Sequence, residues 1–545
     1  MYDMCPSQLY SDLLNELQTE LEDIRKYELN GLLIRSHCKW IEEGEKPTKY
    51  FAALEKRNYI NKNISRLIND QGVEINNQNE ILHELKNVYK SLYENKDHLL
   101  DEVNLQEVIM EKDVKKVTES MRNKLELEIT KKEILEALKL FKNDKSPGTD
   151  GFTAEFFWSD IGSYIFNSFK CSLDSGILSH SQTQGIISIL PKGQKPREYL
   201  KNWRPISLLN VTYKLLSSVL ASRMNPILVD IIHENQKGFL AGRYIGENSR
   251  LLYDIIHYCN ETNTPGLILI LDFEKAFDSV SWKFISKVLT FFNFGENFQN
   301  AIRTLFNNAK LCVIQNGIFS EFFNMGRGCR QGDPISPYIF ILCAEIMGLM
   351  IRYNILIEGI SVMNKEYKLL QYADDTVLLL KGSKNSIKSA LSLVNEYAKY
   401  SGLKPNYDKT KCVKIGPLSN KSNEYFKDFE KVNWSQEPFT VLGITYCVNL
   451  DNTYMYELNF KPKINEMKLS ISAWSRRMLS TAGRITVIKN LILPKITHLL
   501  ISLPNPPRKH IKEIETIFYN YIWNSKTSRV VKSNIIQSYE KGGFE

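Results

Sequence analysis

A run of five aliphatic residues, Leu267 to Leu271, ends directly at a carboxylate, Asp272. Residues that are apolar at every position, rather than at alternate positions, indicate a strand that is covered on both faces. A carboxylate at the end of such a strand is costly to bury unless a cation or a hydrogen-bond donor meets it. The sequence therefore predicts a buried sheet with charge chemistry at the edge where this strand ends.

A second apolar segment carries two adjacent carboxylates. Asp374 and Asp375 stand immediately before the apolar run 376–380, so a tight turn would bring both to one edge of a sheet. An Asp-Asp pair alone is more often a solvated turn than a site. Two carboxylate-bearing strands shift this balance, because acids without a counter-charge repel one another. Mg²⁺ prefers oxygen ligands, and two such ions can serve an in-line phosphoryl displacement.

Length and composition describe a globular protein of several domains. Single hydrophobic cores stop growing near about 250–300 residues, and the chain has 545. Apolar residues make up 43% and charged residues 24%. We find no uncharged apolar stretch of the ~18 residues that a membrane helix needs, and therefore expect no membrane contact. The nine cysteines are dispersed without zinc-ligand spacing, which favours a reducing compartment.

Basic charge is concentrated toward the C-terminal end. Residues 471–545 contain 12 Lys and Arg against 4 Asp and Glu, and this difference of +8 equals the net charge of the chain. Such a region is suited to contact with a nucleic-acid backbone. A solvated basic face is the alternative.

Helical and strand patterns alternate beyond about residue 130, which predicts an α+β fold. Strands are predicted at 185–190, 267–271, 369–372 and 376–380, and helices at 208–228 and 282–294. Before residue 130 the sequence predicts helices at 8–30 and 78–95 and a hairpin over 64–75, and a further helix follows at 130–143.

The order of several motifs resembles that of reverse transcriptases, specifically the LINE-type enzymes of retrotransposons without long terminal repeats. The segment 272–278 is similar to motif A of that family, and Tyr372-Ala373-Asp374-Asp375 is similar to motif C. Further segments are similar in the same order: 145–153, 190–192 with 202–208, 236–239, 328–337, 402–410 and 442–444. The resemblance covers about residues 40–525.

The resemblance implies a right-hand polymerase with fingers, palm and thumb and a helical N-terminal extension. We expect the extension at 1–130, the fingers with some palm elements at 131–265, the palm at 266–450 and the thumb at 451–545. The extension is expected to bind template through the basic and aromatic stretch 39–57, for which a packed helix is the alternative.

The resemblance also assigns roles to individual residues. It implies that Asp272, Asp374 and Asp375 are the catalytic carboxylates. Asp272, Asp374 and the backbone carbonyl of Phe273 would hold two Mg²⁺ ions, for which Mn²⁺ is a possible substitute.

Five further residues are expected to bind the deoxynucleoside triphosphate: Lys192, Arg204, Phe277, Gln331 and Lys409. Lys192 and Arg204 would hold the phosphates, and Gln331 would line the pocket. Phe277 would exclude a 2′-hydroxyl, so the monomer should be a deoxynucleotide. Lys409 would protonate the leaving pyrophosphate, with Lys404 and Lys411 as alternatives for that role.

Primer and template are expected to meet Tyr372 in the palm and Arg477, Arg484 and Lys489 in the thumb. We expect a thumb helix to present these three cations to an RNA–DNA duplex and to follow its shape rather than its sequence.

The function implied is that of an RNA-directed DNA polymerase, a nucleotidyltransferase that extends a DNA 3′-hydroxyl on RNA, in target-primed reverse transcription. Its partners would be template RNA, primer or target DNA and deoxynucleotides, in a ribonucleoprotein found in nucleus and cytoplasm. The endonuclease and zinc knuckle of many family members are not found in this sequence, so we do not expect the chain alone to transpose. The alternatives are a domesticated, non-catalytic nucleic-acid-binding scaffold and an RNA-templated RNA polymerase.

Overall fold

The computed structural model of the protein describes residues 63–109, 113–158, 162–193, 195–419, 421, 429, 432–434, 438–477, 479–523, 530 and 537. The predicted helix at 8–30 and the basic and aromatic stretch at 39–57 lie outside the described residues.

Strands and helices are mixed along the described chain, which confirms the α+β class. The strands are β1 Leu67–Ile68, β2 Glu74–Ile75, β3 Gln184–Pro191, β4 Trp203–Leu209, β5 Gly266–Leu271, β6 Lys310–Gln315, β7 Ile318–Phe319, β8 Phe323–Asn324, β9 Ile360–Val362, β10 Lys365–Tyr367, β11 Leu369–Tyr372, β12 Asp375–Leu380, β13 Lys411–Ile415, β14 Asn433–Trp434, β15 Phe439–Val441 and β16 Ile444–Tyr446.

The helices are α1 Gln78–Tyr93, α2 Leu105–Val108, α3 Glu119–Leu125, α4 Lys131–Lys139, α5 Gly162–Ser175, α6 His180–Thr183, α7 Val211–Ile231, α8 Ile245–Glu261, α9 Ala276–Ser279, α10 Trp282–Phe291, α11 Glu296–Phe306, α12 Ser336–Tyr353, α13 Lys384–Ser401, α14 Asn452–Ser475, α15 Thr481–Val487, α16 Pro494–Ser502 and α17 Arg508–Trp523. A short π-helical segment, Ile488–Ile492, follows α15.

The central sheet is built around β5. Its strand order is β11-β12-β5-β13-β14, and β5 pairs antiparallel with both β12 and β13. Leu267, Leu269 and Leu271 enter one core together with residues of α7, α10 and α12. Ile268 enters a second core, which it shares with α8 and with α14 to α17. Both faces of β5 are therefore covered, which is why its sequence is apolar without alternation.

A second sheet lies against α1. Its strand order is β4-β3-β6-β7, with β8 also paired to β6. Ile81, Leu85 and Tyr89 of α1 share a core with Ile187 and Leu311 of this sheet. Buried residues between 105 and 129 join the core beneath the central sheet. The described part of the predicted N-terminal extension thus packs closely on the elements that follow it.

Three predicted helices differ from the observed ones by three residues or more, and one of them, predicted at 130–143, ends at Lys139. The helix predicted at 208–228 begins only at Val211, because Leu208 and Leu209 still belong to β4 and pair with β3. Pairing with a neighbouring strand thus overrides the local helical pattern. The helix predicted at 282–294 ends at Phe291, and Asn293 soon after it is left-handed with φ 64°.

In the described part of the chain, α12 is long and apolar enough to cross a membrane by length and composition. Its apolar window is 78% buried inside the fold, as expected of a core helix. A bent pair, Thr481–Ile492 with Pro494–Ser502, passes the same test only as a unit and is bent by 52°.

Candidate active site

The central sheet brings the three predicted carboxylates to one edge. β11 and β12 form a hairpin in which Tyr372 pairs with Asp375, so Ala373 and Asp374 form its two-residue turn. On the other side of β12, Thr376 pairs with Leu271 of β5. Continuing that register by one residue places Asp272 beside Asp375, where paired Cα atoms lie about 4.5–5.5 Å apart. The convergence predicted from sequence is therefore present.

The three carboxylates Asp272, Asp374 and Asp375 lie close enough to repel one another. Asp374 and Asp375 are reached by solvent, but the surrounding walls crowd their carboxyl groups. This partial burial is the main cause that raises the pKa of both, to about 6 for Asp375, and the charge of Asp272 adds to it in each case. Asp374 also raises the pKa of Asp375. A cation bound among these groups would relieve the repulsion.

The donor set fits hard divalent cations in an open site. Asp272 Oδ2 is buried without a hydrogen-bond partner, and its nearby cation is Lys409, with Nζ at 3.4 Å. In the described residues no group of three or more Asp, Glu, His or Cys encloses a metal position. Mg²⁺ needs only one or two carboxylates when substrate phosphates and water complete its shell. Asp272 and Asp374 are suited to that role.

The segment after α13 fixes the end of β5. The amide N–H of Asn406 donates to the Asp272 carbonyl at 2.8 Å, and that of Glu274 donates to the Lys404 carbonyl at 2.9 Å. These bonds leave the Phe273 carbonyl outside the pairing, as a metal contact would require. They also hold Lys409 beside Asp272, whereas no ion pair to Asp272 is seen for Lys404 or Lys411 among the described contacts.

A cluster of cations faces the carboxylates. The pKa of Lys192 is lowered, first by burial and then by Lys409, Arg204, Lys195 and Lys275. Like charges held close together favour loss of a proton, so an anionic ligand would stabilise the set. We name these five residues the cation cluster. It joins a strand end of the second sheet to the loop after β5.

Lys195 and Lys275 are members of the cation cluster that the sequence did not single out. Lys275 is the left-handed N-cap of α9, with φ 46° and ψ 53°. Left-handed backbone is unfavourable for a lysine, and such strain is concentrated at functional sites. Beside it, burial raises the pKa of Asp278 to about 6 against the opposing effect of Tyr93, Lys275, Arg327 and Lys192.

Phe277 packs against two other aromatic rings. Its ring stacks on that of Phe340 with centroids 4.2 Å apart, and Phe239 meets it edge-on at 6.3 Å. Phe239 is itself exposed, left-handed at φ 58° and 6.5 Å from the ring of Tyr372. The segment 236–239 carried the family resemblance, but no role had been assigned to Phe239.

Gln331 lies in an exposed turn that joins the two sheets. Its carbonyl accepts from the Ser207 amide of β4 at 2.8 Å, and the Cys329 amide donates to the Phe277 carbonyl at 2.6 Å. A Cβ on Gly332 would lie 2.7 Å from the Ser207 carbonyl, so glycine permits this approach. Gln331 is thereby held on the same side of the site as Phe277.

The thumb cations are not on one helix, and that expectation was wrong. Arg477 follows the end of α14 and lies over the Trp474 ring at 4.2 Å. Arg484 is half-buried in α15, where it donates to the carbonyls of Tyr521 and Ile522 at 3.4 and 3.2 Å. Lys489 is exposed in the π-helical segment. Arg484 therefore ties α15 to the end of α17, which competes with a role in binding nucleic acid.

Comparison with known proteins agrees with this geometry. Residues 190–446 match the reverse transcriptase (RNA-dependent DNA polymerase) family. The chain is 27% identical over 523 residues to the transposon TX1 uncharacterized 149 kDa protein of Xenopus laevis, covering 94% of this chain and 38% of that protein.

Two similar proteins come from retrotransposable elements. One is the Pol polyprotein of type-2 element R2DM of Drosophila melanogaster, 27% identical over 50% of this chain and 25% of that protein. The other is that of type-1 element R2 of Popillia japonica, 24% identical over 69% of this chain and 52% of that protein. The chain thus spans between 25% and 52% of these three relatives.

Residues 190–446 are therefore similar to the reverse transcriptase family over just under half of the chain. The two relatives from retrotransposable elements agree with the resemblance of the sequence motifs to LINE-type enzymes.

The raised pKa of Asp375 predicts a stability gain on its removal. Its folded pKa of about 6 exceeds its ordinary value of 3.8, so the carboxylate destabilises the fold fully above about pH 6 and not at all below about pH 4. Asp375→Asn should raise the stability of metal-free protein at about pH 8 by about 1 kcal/mol, a figure reduced for solvent screening. The gain should vanish near pH 4. Thermal unfolding in a chelator measures both.

Asp70→Asn, in the exposed turn between β1 and β2, is the matched control. It should leave the thermal unfolding midpoint unchanged at both about pH 8 and about pH 4. A destabilised Asp375→Asn protein at the higher pH would contradict the repulsion described for this cluster.

Proposed function

We propose that the chain is an RNA-directed DNA polymerase that extends a DNA 3′-hydroxyl on an RNA template. One observation carries the proposal: the carboxylates beside β5 and β12 adjoin the cation cluster, where Lys409 Nζ lies 3.4 Å from Asp272 Oδ2. Carboxylates that hold metal next to cations that hold phosphate are the requirements of phosphoryl transfer.

Asp272 and Asp374, with the Phe273 carbonyl, would hold the divalent ions, and Asp375 would contribute charge. Bound Mg²⁺, or Mn²⁺ in its place, supplies activation of the attacking oxygen and stabilisation of the leaving oxygen. The cation cluster would bind and orient the triphosphate, with Arg204 as a bidentate contact. Lys409 lies where it could give a proton to pyrophosphate, and Gln331 and Phe277 would line the nucleoside pocket.

The wider setting belongs to the same proposal. Tyr372 would meet the primer end, and Arg477 and Lys489, both exposed, would meet the duplex. The N-terminal extension would bind template. We propose target-primed reverse transcription within a ribonucleoprotein that reaches both cytoplasm and nucleus. A non-catalytic scaffold would have no use for repelling carboxylates whose pKa values are raised.

Primer extension tests the proposal directly. With an RNA homopolymer template, a DNA primer and the complementary deoxynucleotide, the protein should incorporate nucleotide in Mg²⁺. Asp374→Ala should lower the rate by at least about 10³-fold, the loss of several kcal/mol of transition-state stabilisation. Asp254→Ala, an exposed ion-pair partner on α8, should leave the rate unchanged. Equal incorporation by wild type and Asp374→Ala would favour the scaffold alternative.

Sugar selection tests the role of Phe277. Phe277→Val should open space below the incoming sugar and reduce discrimination against ribonucleotides by about 10- to 100-fold, because the 2′-hydroxyl is no longer excluded or left unpaired. The measurement is kcat/KM for a ribonucleotide and a deoxynucleotide in each protein. Because Phe277 stacks on Phe340, thermal unfolding should accompany it. A wild type that accepts both sugars equally would refute the assignment and favour the RNA polymerase alternative.

If Lys195 and Lys275 help to bind the triphosphate, replacing either should weaken binding of the deoxynucleotide. Lys275→Ala and Lys195→Ala should each raise KM for the deoxynucleotide by about 5- to 10-fold, since each removes a charge-assisted phosphate contact worth about 1 kcal/mol. Steady-state kinetics should show KM for the primer within about twofold of wild type. Lys388→Ala, exposed on α13, is the control. An unchanged nucleotide KM in both variants would remove these lysines from the site.

A further inference from the structure

The turn that carries Asp374 has an unfavourable backbone. Ala373 is left-handed at φ 55° and buried, and its methyl group belongs to the core beneath the central sheet. A left-handed conformation costs a residue with a Cβ about 1–2 kcal/mol. Something outside the hairpin must therefore hold this turn in place.

Gln236 provides that hold. It is 1% exposed, and its Oε1 accepts from the Ala373 amide at 2.8 Å and from the Gly238 amide at 2.9 Å. Its Nε2 donates to the Ala373 carbonyl at 3.4 Å. The side-chain amide thus contacts both the N–H and the C=O of the strained residue.

The backbone around Gln236 continues the same contact into β11. The Gln371 amide donates to the Asn235 carbonyl at 3.0 Å, and the Lys237 amide donates to the Gln371 carbonyl at 2.9 Å. Asn248 of α8 donates to that carbonyl as well, at 2.8 Å. Gln236 and Gln371 form an isolated parallel bridge, so the segment lies directly beside β11.

Gly238 allows this close approach. A Cβ at Gly238 would lie 2.6 Å from the Ala373 nitrogen, which is too short for any real contact. The backbone at Gly238 therefore lies directly against the turn.

We infer that Gln236 is a positioning residue, which holds the left-handed turn at Ala373 and so sets the direction of Asp374 and Asp375. This rests on the proposed polymerase function. Gln236 touches no reacting group, so it acts on the rate through the carboxylates rather than on nucleotide binding.

The test is a double-mutant cycle between Gln236→Met and Ala373→Gly. Met matches the length of Gln but cannot hold the amide and carbonyl of residue 373. Gln236→Met should lower kcat by about 10- to 30-fold, with KM for nucleotide and primer within about twofold. In the Ala373→Gly background the same change should cost less than about threefold, because glycine adopts this φ without strain.

Two further variants guard against a loss of folding. Gly238→Ala presses on the same turn from the other side and should lower kcat without raising nucleotide KM. Gln315→Met replaces another buried glutamine, in β6 of the second sheet, and should leave kcat unchanged. Unfolding midpoints of the four cycle proteins should show the same coupling without any reliance on activity.

The outcomes separate the two proposals. A wild type without polymerase activity overturns the proposed function, and the coupled midpoints alone would still support the hold on the turn. An active wild type with equal losses from Gln236→Met in both backgrounds overturns the positioning role alone. A rise in nucleotide KM at constant kcat would overturn it as well.

Discussion

The antiparallel pairing of β5 with β12 is the interaction on which the site depends. It sets Leu271 opposite Thr376, so both strands end in carboxylates at the same edge of the sheet. Burial raises the pKa values of Asp374 and Asp375, and repulsion between these acids and Asp272 raises them further. Apolar burial on both faces of β5 opposes this repulsion, at roughly 25 cal/mol for each Å² removed from water. The core thus holds together a charge arrangement that is unfavourable without ligand.

The cation cluster resembles the carboxylate group in one respect: it too holds like charges close together, at a cost in free energy. Lys192 loses affinity for its proton because burial and four neighbouring cations act on it together. The two charged groups meet at the ion pair of Lys409 with Asp272. A metal-bound triphosphate has positive and negative charge in the complementary order. Substrate binding would therefore relieve two separate repulsions at once.

Local pattern was sufficient to predict the strands and carboxylates, because β5 and β12 are largely apolar and each adjoins an acid, Asp272 after β5 and Asp375 at the start of β12. Local pattern could not predict the position of a side chain that is placed by contacts with a distant segment of the chain. Lys195 and Lys275 look like ordinary surface lysines in sequence. A local turn joins Lys195 to Lys192, whereas only the meeting of the two sheets brings Lys275 there. Arg484 fitted a basic face by charge, whereas packing of α15 against α17 gives it carbonyl partners. The role of Gln236 depends on a turn that lies far from it in the chain.

Backbone strain connects these observations. Lys275, Ala373 and Phe239 are all left-handed, with φ of 46°, 55° and 58°, and they present a cation, a carboxylate turn and an aromatic ring to one cleft. Each such residue costs about 1–2 kcal/mol, so the surrounding fold must supply that free energy. For Ala373 the supporting contacts come from the segment 235–238, which is neither strand nor helix of the sheet that carries the carboxylates. The geometry of the site is therefore set as much by the loops beneath the hairpin as by the strands themselves.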